Sequence, residues 1–169
     1  PIFYSDFEAK KCMQSDVSLI KNIKATFGSD IYSNRKLEKD RLARIIFNND
    51  SALQTINRLV HPAVQRVFEE WCSMQNSSYV LKEAAILFES GSDKDLDHII
   101  CVSAPDELRM ERVMKRDGII ESQVLERMSK QWKQSRKIDL AHFNIVNDEK
   151  QLLIPQVLSV HSLLLSQSA

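Results

Sequence analysis

Two sets of side chains in this sequence have the types and spacing for chemistry. The first is acidic. Glu83 and Glu89 bracket an apolar run inside residues 79–91, YVLKEAAILFESG, and Asp6 follows the apolar opening PIFY. A carboxylate at the carboxyl end of a buried strand lies where open α/β sheets hold ligands, and it can take a proton from one. An ordinary buried strand with polar ends explains the two glutamates as well, and a helix N-cap explains Asp6. The second set is basic. Arg109, Arg112 and Arg116 are spaced three and four apart and share a helix face. Arg127, Lys130, Gln131, Lys133, Arg136 and Lys137 follow. Residues 109–137 hold nine Lys/Arg against Glu111, Asp117, Glu121 and Glu126, a local excess of five in a chain of net charge +0. Charged helices are commonly just solvated and self-paired. An excess this large suits an anion such as phosphate, which the planar arginine fork grips well.

These groups need elements to position them. Residues 1–4 read as a short strand and 7–13 as a helix, which puts Asp6 at the junction. Residues 16–27 read as a helix ended by Gly28. Residues 34–47 carry Leu37, Leu42, Ile45 and Ile46 on one stripe. Asn49-Asp50-Ser51 is an N-cap signal for a helix bearing Leu53, Ile56, Leu59 and Val60. His61-Pro62 interrupts, and Pro62 suits the first turn of a further helix over 63–74. Residues 79–91 are the most strand-like run, apolar enough to be covered on both faces. HIICV (98–102) is a third strand. Ser103-Ala104-Pro105-Asp106-Glu107 starts a helix that Asp117-Gly118 ends, and a second basic helix spans 121–137. FNIV (143–146) is a fourth strand, and 151–165 a closing amphipathic helix. Strands separated by helices imply a parallel α/β sheet.

The bulk numbers narrow the classes. With 169 residues the chain can build one domain with a real core. Zero net charge gives no general attraction to nucleic acid or membrane, and Trp132 is the only aromatic residue in the basic segment. Cys12, Cys72 and Cys101, like His61, His98, His142 and His161, are too scattered for a disulfide framework or a zinc site. The expected setting is a reducing cytoplasm. No apolar run is long enough to span a bilayer. Pro1, without Met and running straight into a strand, reads as a chain whose beginning is absent.

Taken in order, Asp6 after an apolar strand, Asn34-Arg35 ahead of a helix, His61-Pro62, EAAILFE (83–89), RMERVMKRDG (109–118), Arg127 with Gln131, and Asn147 closing a late strand resemble the dephospho-coenzyme A kinase family over nearly the whole chain. The resemblance implies a P-loop NTPase-like parallel sheet with helices on both faces. Residues 1–169 would be a single kinase-like domain, with 15–76 a helical acceptor-binding insertion and 109–137 a basic helical lid. It implies transfer of the ATP γ-phosphate to the ribose 3′-hydroxyl of dephospho-CoA, with Mg²⁺, and neither nucleic acid nor membrane as partner. Asp6 would be the catalytic carboxylate. Lys10, standing where the family usually has Arg, together with Arg35, His61 and Glu83, would serve the acceptor side. Arg112, Arg116 and Arg127 would close over the ATP phosphates, and Asn147 would lie near the adenine.

Two departures stand out. Ala85 replaces a proline usual in that strand. More seriously, the phosphate-cradling motif GxxxxGK[ST] occurs nowhere in these residues, and the first strand and helix that flank it are absent too. That strand belongs mid-sheet in an expected order 2-3-1-4-5. Other readings are a non-catalytic relative that binds a CoA-like ligand or a partner, and a nucleoside or nucleotide kinase with another acceptor.

Overall fold

In the computed structural model, which describes residues 1–47 and 49–167, the opening apolar triplet forms β1, Ile2–Tyr4. It pairs in parallel with β4, Leu81–Glu83, in the register Ile2↔Leu81, Phe3↔Lys82, Tyr4↔Glu83. Phe3 is buried, its ring edge-on to Phe68 at 5.0 Å and 5.5 Å from Trp71. Both aromatic partners lie on the long helix α4, Asp50–Ser73. Ile56, Val60, Ala63, Val64 and Phe68 form its buried stripe, at the spacing that keeps side chains on one helix face. This strand–helix core is the centre of one compact unit, Pro1–Ala85; the rest of the chain, Ile86–Ala169, forms a second.

Three further helices complete the first unit: α1 (Ser5–Ser15), α2 (Val17–Phe27) and α3 (Lys39–Phe47). Asp16 caps α2 by accepting from the Leu19 N–H at 2.8 Å, and Arg66 of α4 pairs with the same carboxylate at 3.0 Å. Asn49 caps α4 through the Ala52 N–H, as its sequence signal predicts. Gly28, at φ 97°, ends α2.

Two readings of this region are corrected. Residues 34–37 are not helical. β2 (Tyr32–Ser33) and β3 (Lys36–Leu37) form a small antiparallel hairpin, with Asn34 and Arg35 both at positive φ in its two-residue turn. The right-handed twist of the paired strands selects that turn type. Pro62 does not break its helix either, since α4 runs unbroken through it. The buried stripe continues on both sides of the proline, and this packing outweighs the one backbone hydrogen bond a proline cannot donate.

The second unit is built on β5 (Ile100–Ser103) and β6 (Phe143–Val146), parallel, from Ile100↔Phe143 to Ser103↔Val146. Around them stand α5 (Asp106–Asp117), α6 (Glu121–Ser129), α7 (Gln134–Leu140) and α8 (Leu153–Gln167). Two glutamines tie helices to the strand ends by imitating a peptide group. Gln134 donates to the Ala104 carbonyl at 2.9 Å and accepts from its N–H at 3.4 Å. Gln156 does the same at Val146, at 3.0 and 2.8 Å. The expected second basic helix over 121–137 is in fact α6 and α7 with a break between them. There Trp132 donates its N–H to Glu89 rather than to a helical carbonyl.

The stretch 79–91 is corrected most. Only Leu81–Glu83 is strand; residues 85–91 coil into turns, with Ser90 N–H bonded to the Ile86 carbonyl at 3.0 Å. Ile86, Leu87 and Phe88 are half-buried there, and Phe88 stacks flat on Trp132 at 6.2 Å. The parallel pairs are thus β1–β4 in the first unit and β5–β6 in the second.

Candidate active site

In the first unit the register places Glu83 opposite Tyr4, the last residue of β1. Asp6 follows two residues later, in the first turn of α1, so both carboxyls belong to the carboxyl edge of one parallel pair. Asp6 is not an N-cap: the helix has already begun at Ser5, and Tyr4 precedes it without a side-chain cap. Its carboxylate is exposed and makes no hydrogen bond or ion pair among the described residues. Burial, and then the neighbouring charge of Asp6, push the Glu83 carboxyl above its ordinary range. In α1's first turn the Ser5 hydroxyl is buried without a hydrogen-bond partner among the described residues.

Helical spacing sets Lys10 one turn beyond Asp6, and Gln14 one turn further, on the same stripe of α1. Gln14 accepts from the Leu37 N–H at 3.4 Å, and the Tyr32 hydroxyl donates to the Met13 carbonyl at 2.7 Å. The β2–β3 hairpin is thereby seated on α1, and Arg35 stands in its turn at φ 64°. Left-handed backbone is costly for a residue with a Cβ, and such strain gathers at functional positions. Lys10 and Arg35 are exposed and form no ion pair among the described residues. His61 lies half-buried on α4, and burial, together with the charge of Lys82, holds its pKa below the ordinary value. Lys82 itself donates to Gln65 at 3.0 Å, and its ammonium sits 4.4 Å from the Phe68 ring centre.

The second unit gathers the basic residues. Arg112 on α5 donates to the Asn147 carbonyl at 3.0 Å, reaches its side-chain oxygen at 3.5 Å, and pairs with Glu149 at 3.0 Å. Asn147 is anchored in turn by its N–H on the Ser103 carbonyl at 2.7 Å. Arg116 and Arg127 meet at one carboxylate. Arg116 grips Asp117 through Nε at 2.8 Å and Nη2 at 3.3 Å, while Arg127 reaches it through Nη1 at 2.7 Å. These bonds hold the Asp117 carboxyl at about 2, well below its usual range. Lys137 pairs with the largely buried Glu89 at 2.7 Å. Burial alone would raise the Glu89 pKa, but the bonds from Lys137 and the Trp132 N–H outweigh it and lower it. Beside these helices lies an open cleft of about 950 Å³, reached by Ser103, Arg109, Trp132 and Asp148.

Asp6 and Glu83 thus share one edge in the first unit, with Lys10 a turn further along α1 and Arg35 in the hairpin seated on that helix. Arg112 joins Asn147, and Arg116 joins Arg127, in the second. Sequence reasoning missed the partners Asp117, Glu149, Lys82 and Gln14. Only Asp117, adjacent to Arg116, carried a visible signal. No group of three or more His, Cys, Asp or Glu is poised to hold a metal ion among the described residues. No helix among them is long and apolar enough to cross a membrane.

The comparisons with known proteins agree with one another. The family model "Dephospho-CoA kinase" matches residues 1–152. The dephospho-CoA kinase of Bacteroides fragilis (strain YCH46) is 35% identical over 161 residues, covering 95% of this chain and 78% of the relative. That of Chlorobaculum tepidum is 39% identical over 155 residues, covering 87% and 74%. Among solved structures, a Thermus thermophilus protein matches with a TM-score of 0.81 at 25% identity, over 99% of this chain and 84% of that one. A dephospho-CoA kinase from Campylobacter jejuni shares the fold at a TM-score of 0.66 and 22% identity, over 99% and 86%. The fold is therefore α/β and P-loop NTPase-like, and the chain belongs to the dephospho-CoA kinase family.

Proposed function

We propose that the protein transfers the γ-phosphoryl group of ATP to the ribose 3′-hydroxyl of dephospho-CoA, in the cytoplasm, as the last step of coenzyme A synthesis. The observation that carries this reading is that Glu83, opposite Tyr4, and Asp6, two residues after Tyr4, both fall at the carboxyl edge of β1–β4, in a chain whose relatives carry that name over most of its length. Asp6 is open to solvent and unpaired, as a carboxylate must be to orient an incoming hydroxyl and take its proton. Lys10 on α1, and Arg35 and His61 in the 15–76 region, serve the acceptor. Arg112, Arg116 and Arg127, in 109–137, serve the ATP phosphates as a lid that excludes water, and Asn147 serves the adenine. Phosphoryl transfer asks mainly for positioning and neutralised charge, and exposed guanidiniums supply both.

Mg²⁺ fits the chemistry of the acidic edge. Two hard carboxylate oxygen donors, close enough that one charge raises the other's pKa, suit a cation that binds through one or two carboxylates plus phosphates. Glu83 would hold it, leaving Asp6 free for the hydroxyl, and its charge would neutralise the phosphate oxygens. The reading is tested by ADP release from the expressed protein. ADP should form only when Mg²⁺-ATP and dephospho-CoA are both present. ADP formed with a nucleoside or nucleotide, but not with dephospho-CoA, would assign another acceptor.

A further inference from the structure

The ion pairs at the α5–α6 corner assign a task to an acidic residue inside the basic segment. Two guanidiniums brought to one place repel each other, and they stay together only if something between them is negative. Asp117 is that group. Its carboxylate takes two N–H bonds from Arg116 and one from Arg127, which lies on the other side of Gly118 and the turn into α6. Gly118, in left-handed conformation, ends α5 and lets the chain reverse. The carboxylate does not use up either arginine. Nη1 of Arg116, and Nε and Nη2 of Arg127, are not engaged by Asp117, and both side chains are largely exposed. Each therefore keeps N–H donors for a second anion.

We propose that Asp117 is a positioning residue that holds Arg116 and Arg127 together as a two-pronged cradle for the phosphates of a nucleoside triphosphate. The proposal rests on the phosphate role given above to these arginines, and adds the group that sets their spacing. It carries a sign that plain electrostatics does not. Removing an acid from an anion site strengthens simple Coulomb attraction, so Asp117→Asn should bind a polyanion more tightly if Asp117 merely competed for the arginines. If Asp117 positions them, the same change weakens binding.

The probe is inorganic tripolyphosphate, titrated calorimetrically into the protein and its variants. Asp117→Asn should weaken binding about tenfold, the scale of one lost charge-assisted hydrogen bond. Arg116→Ala should do so by a similar factor, and Asp117→Glu should restore part of the loss. Far-UV circular dichroism should show the helices of Asp117→Asn intact, which separates positioning from unfolding. Equal or tighter binding by Asp117→Asn overturns the proposal, as does a wild type that does not bind tripolyphosphate, or a loss that Asp117→Glu leaves unrepaired while helicity is kept. Failure of the kinase reading looks different: no ADP forms with dephospho-CoA, while the tripolyphosphate series stands.

Discussion

In the proposed reaction the chemistry falls mainly to a single residue, Asp6, whose surroundings leave its carboxylate uncommitted. A carboxylate committed to capping a helix, or to a salt bridge, would be a poor proton acceptor for a substrate hydroxyl. Asp6 has neither commitment, since α1 starts one residue before it. Glu83 differs: burial and the neighbouring Asp6 raise its pKa. Asp6→Asn should lower kcat by about a hundred- to ten-thousand-fold, the range for a positioned acid–base group. The dissociation constant for dephospho-CoA should stay within about twofold, because the group acts mainly in the transition state. Steady-state kinetics alongside calorimetry checks both, and unchanged kcat would reduce Asp6 to a first-turn acid that favours the helix dipole. Asp6, Arg112, Arg116 and Arg127 could all be picked from the sequence by type and spacing. Glu149 could not, because it meets Arg112 from 37 residues away.

Among the elements, α4 does most to fix the acidic edge. Phe68 and Trp71 of that helix enclose Phe3 of β1, and β1 runs directly into the turn that presents Asp6. Phe68→Ala removes one of the two rings that enclose Phe3, from a buried site. It should cost about 3–5 kcal/mol of stability, the usual range for a buried phenylalanine truncated to alanine. Urea unfolding followed by Trp71 fluorescence, in a Trp132→Phe background, measures it. A loss under about 1 kcal/mol would mean that β1 is held by its ladder with β4 rather than by α4. The same element shows where local signals fall short. His61-Pro62 reads as a helix boundary because proline lacks the N–H and crowds the preceding turn, yet the apolar stripe from Ile56 to Phe68 passes straight through. The strand reading of 79–91 failed for a related reason. A short apolar run does not declare its period, and the stacking of Phe88 on Trp132 and the grip of Lys137 on Glu89 close it into turns.

Over the whole molecule, charge is balanced in total and uneven in place. The chain has net charge +0, while residues 109–137 carry an excess of five positive charges. The structure shows part of that excess answered by acids outside the segment: Asp106 for Arg109, Glu149 for Arg112 and Glu89 for Lys137. Enough exposed guanidinium remains for ATP affinity to depend on salt. Raising ionic strength from about 0.05 M to about 0.5 M shortens the screening length severalfold, and should raise the ATP dissociation constant at least about threefold. Calorimetric titrations at both salt levels check this, and an unchanged constant would place ATP binding on uncharged contacts. By itself, the sequence determined the α/β class, the alternation of strands and helices, the caps at Asn49, Gly28 and Gly118, and the residue types able to handle a phosphate and a proton. All of these follow from local periodicity, local backbone preference and side-chain chemistry. Only the tertiary structure decided that Glu83 ends a three-residue strand, that Arg35 stands in a left-handed turn, and that Asp117 sits between two arginines. Each of these depends on which distant segments meet, and no local pattern encodes such a meeting.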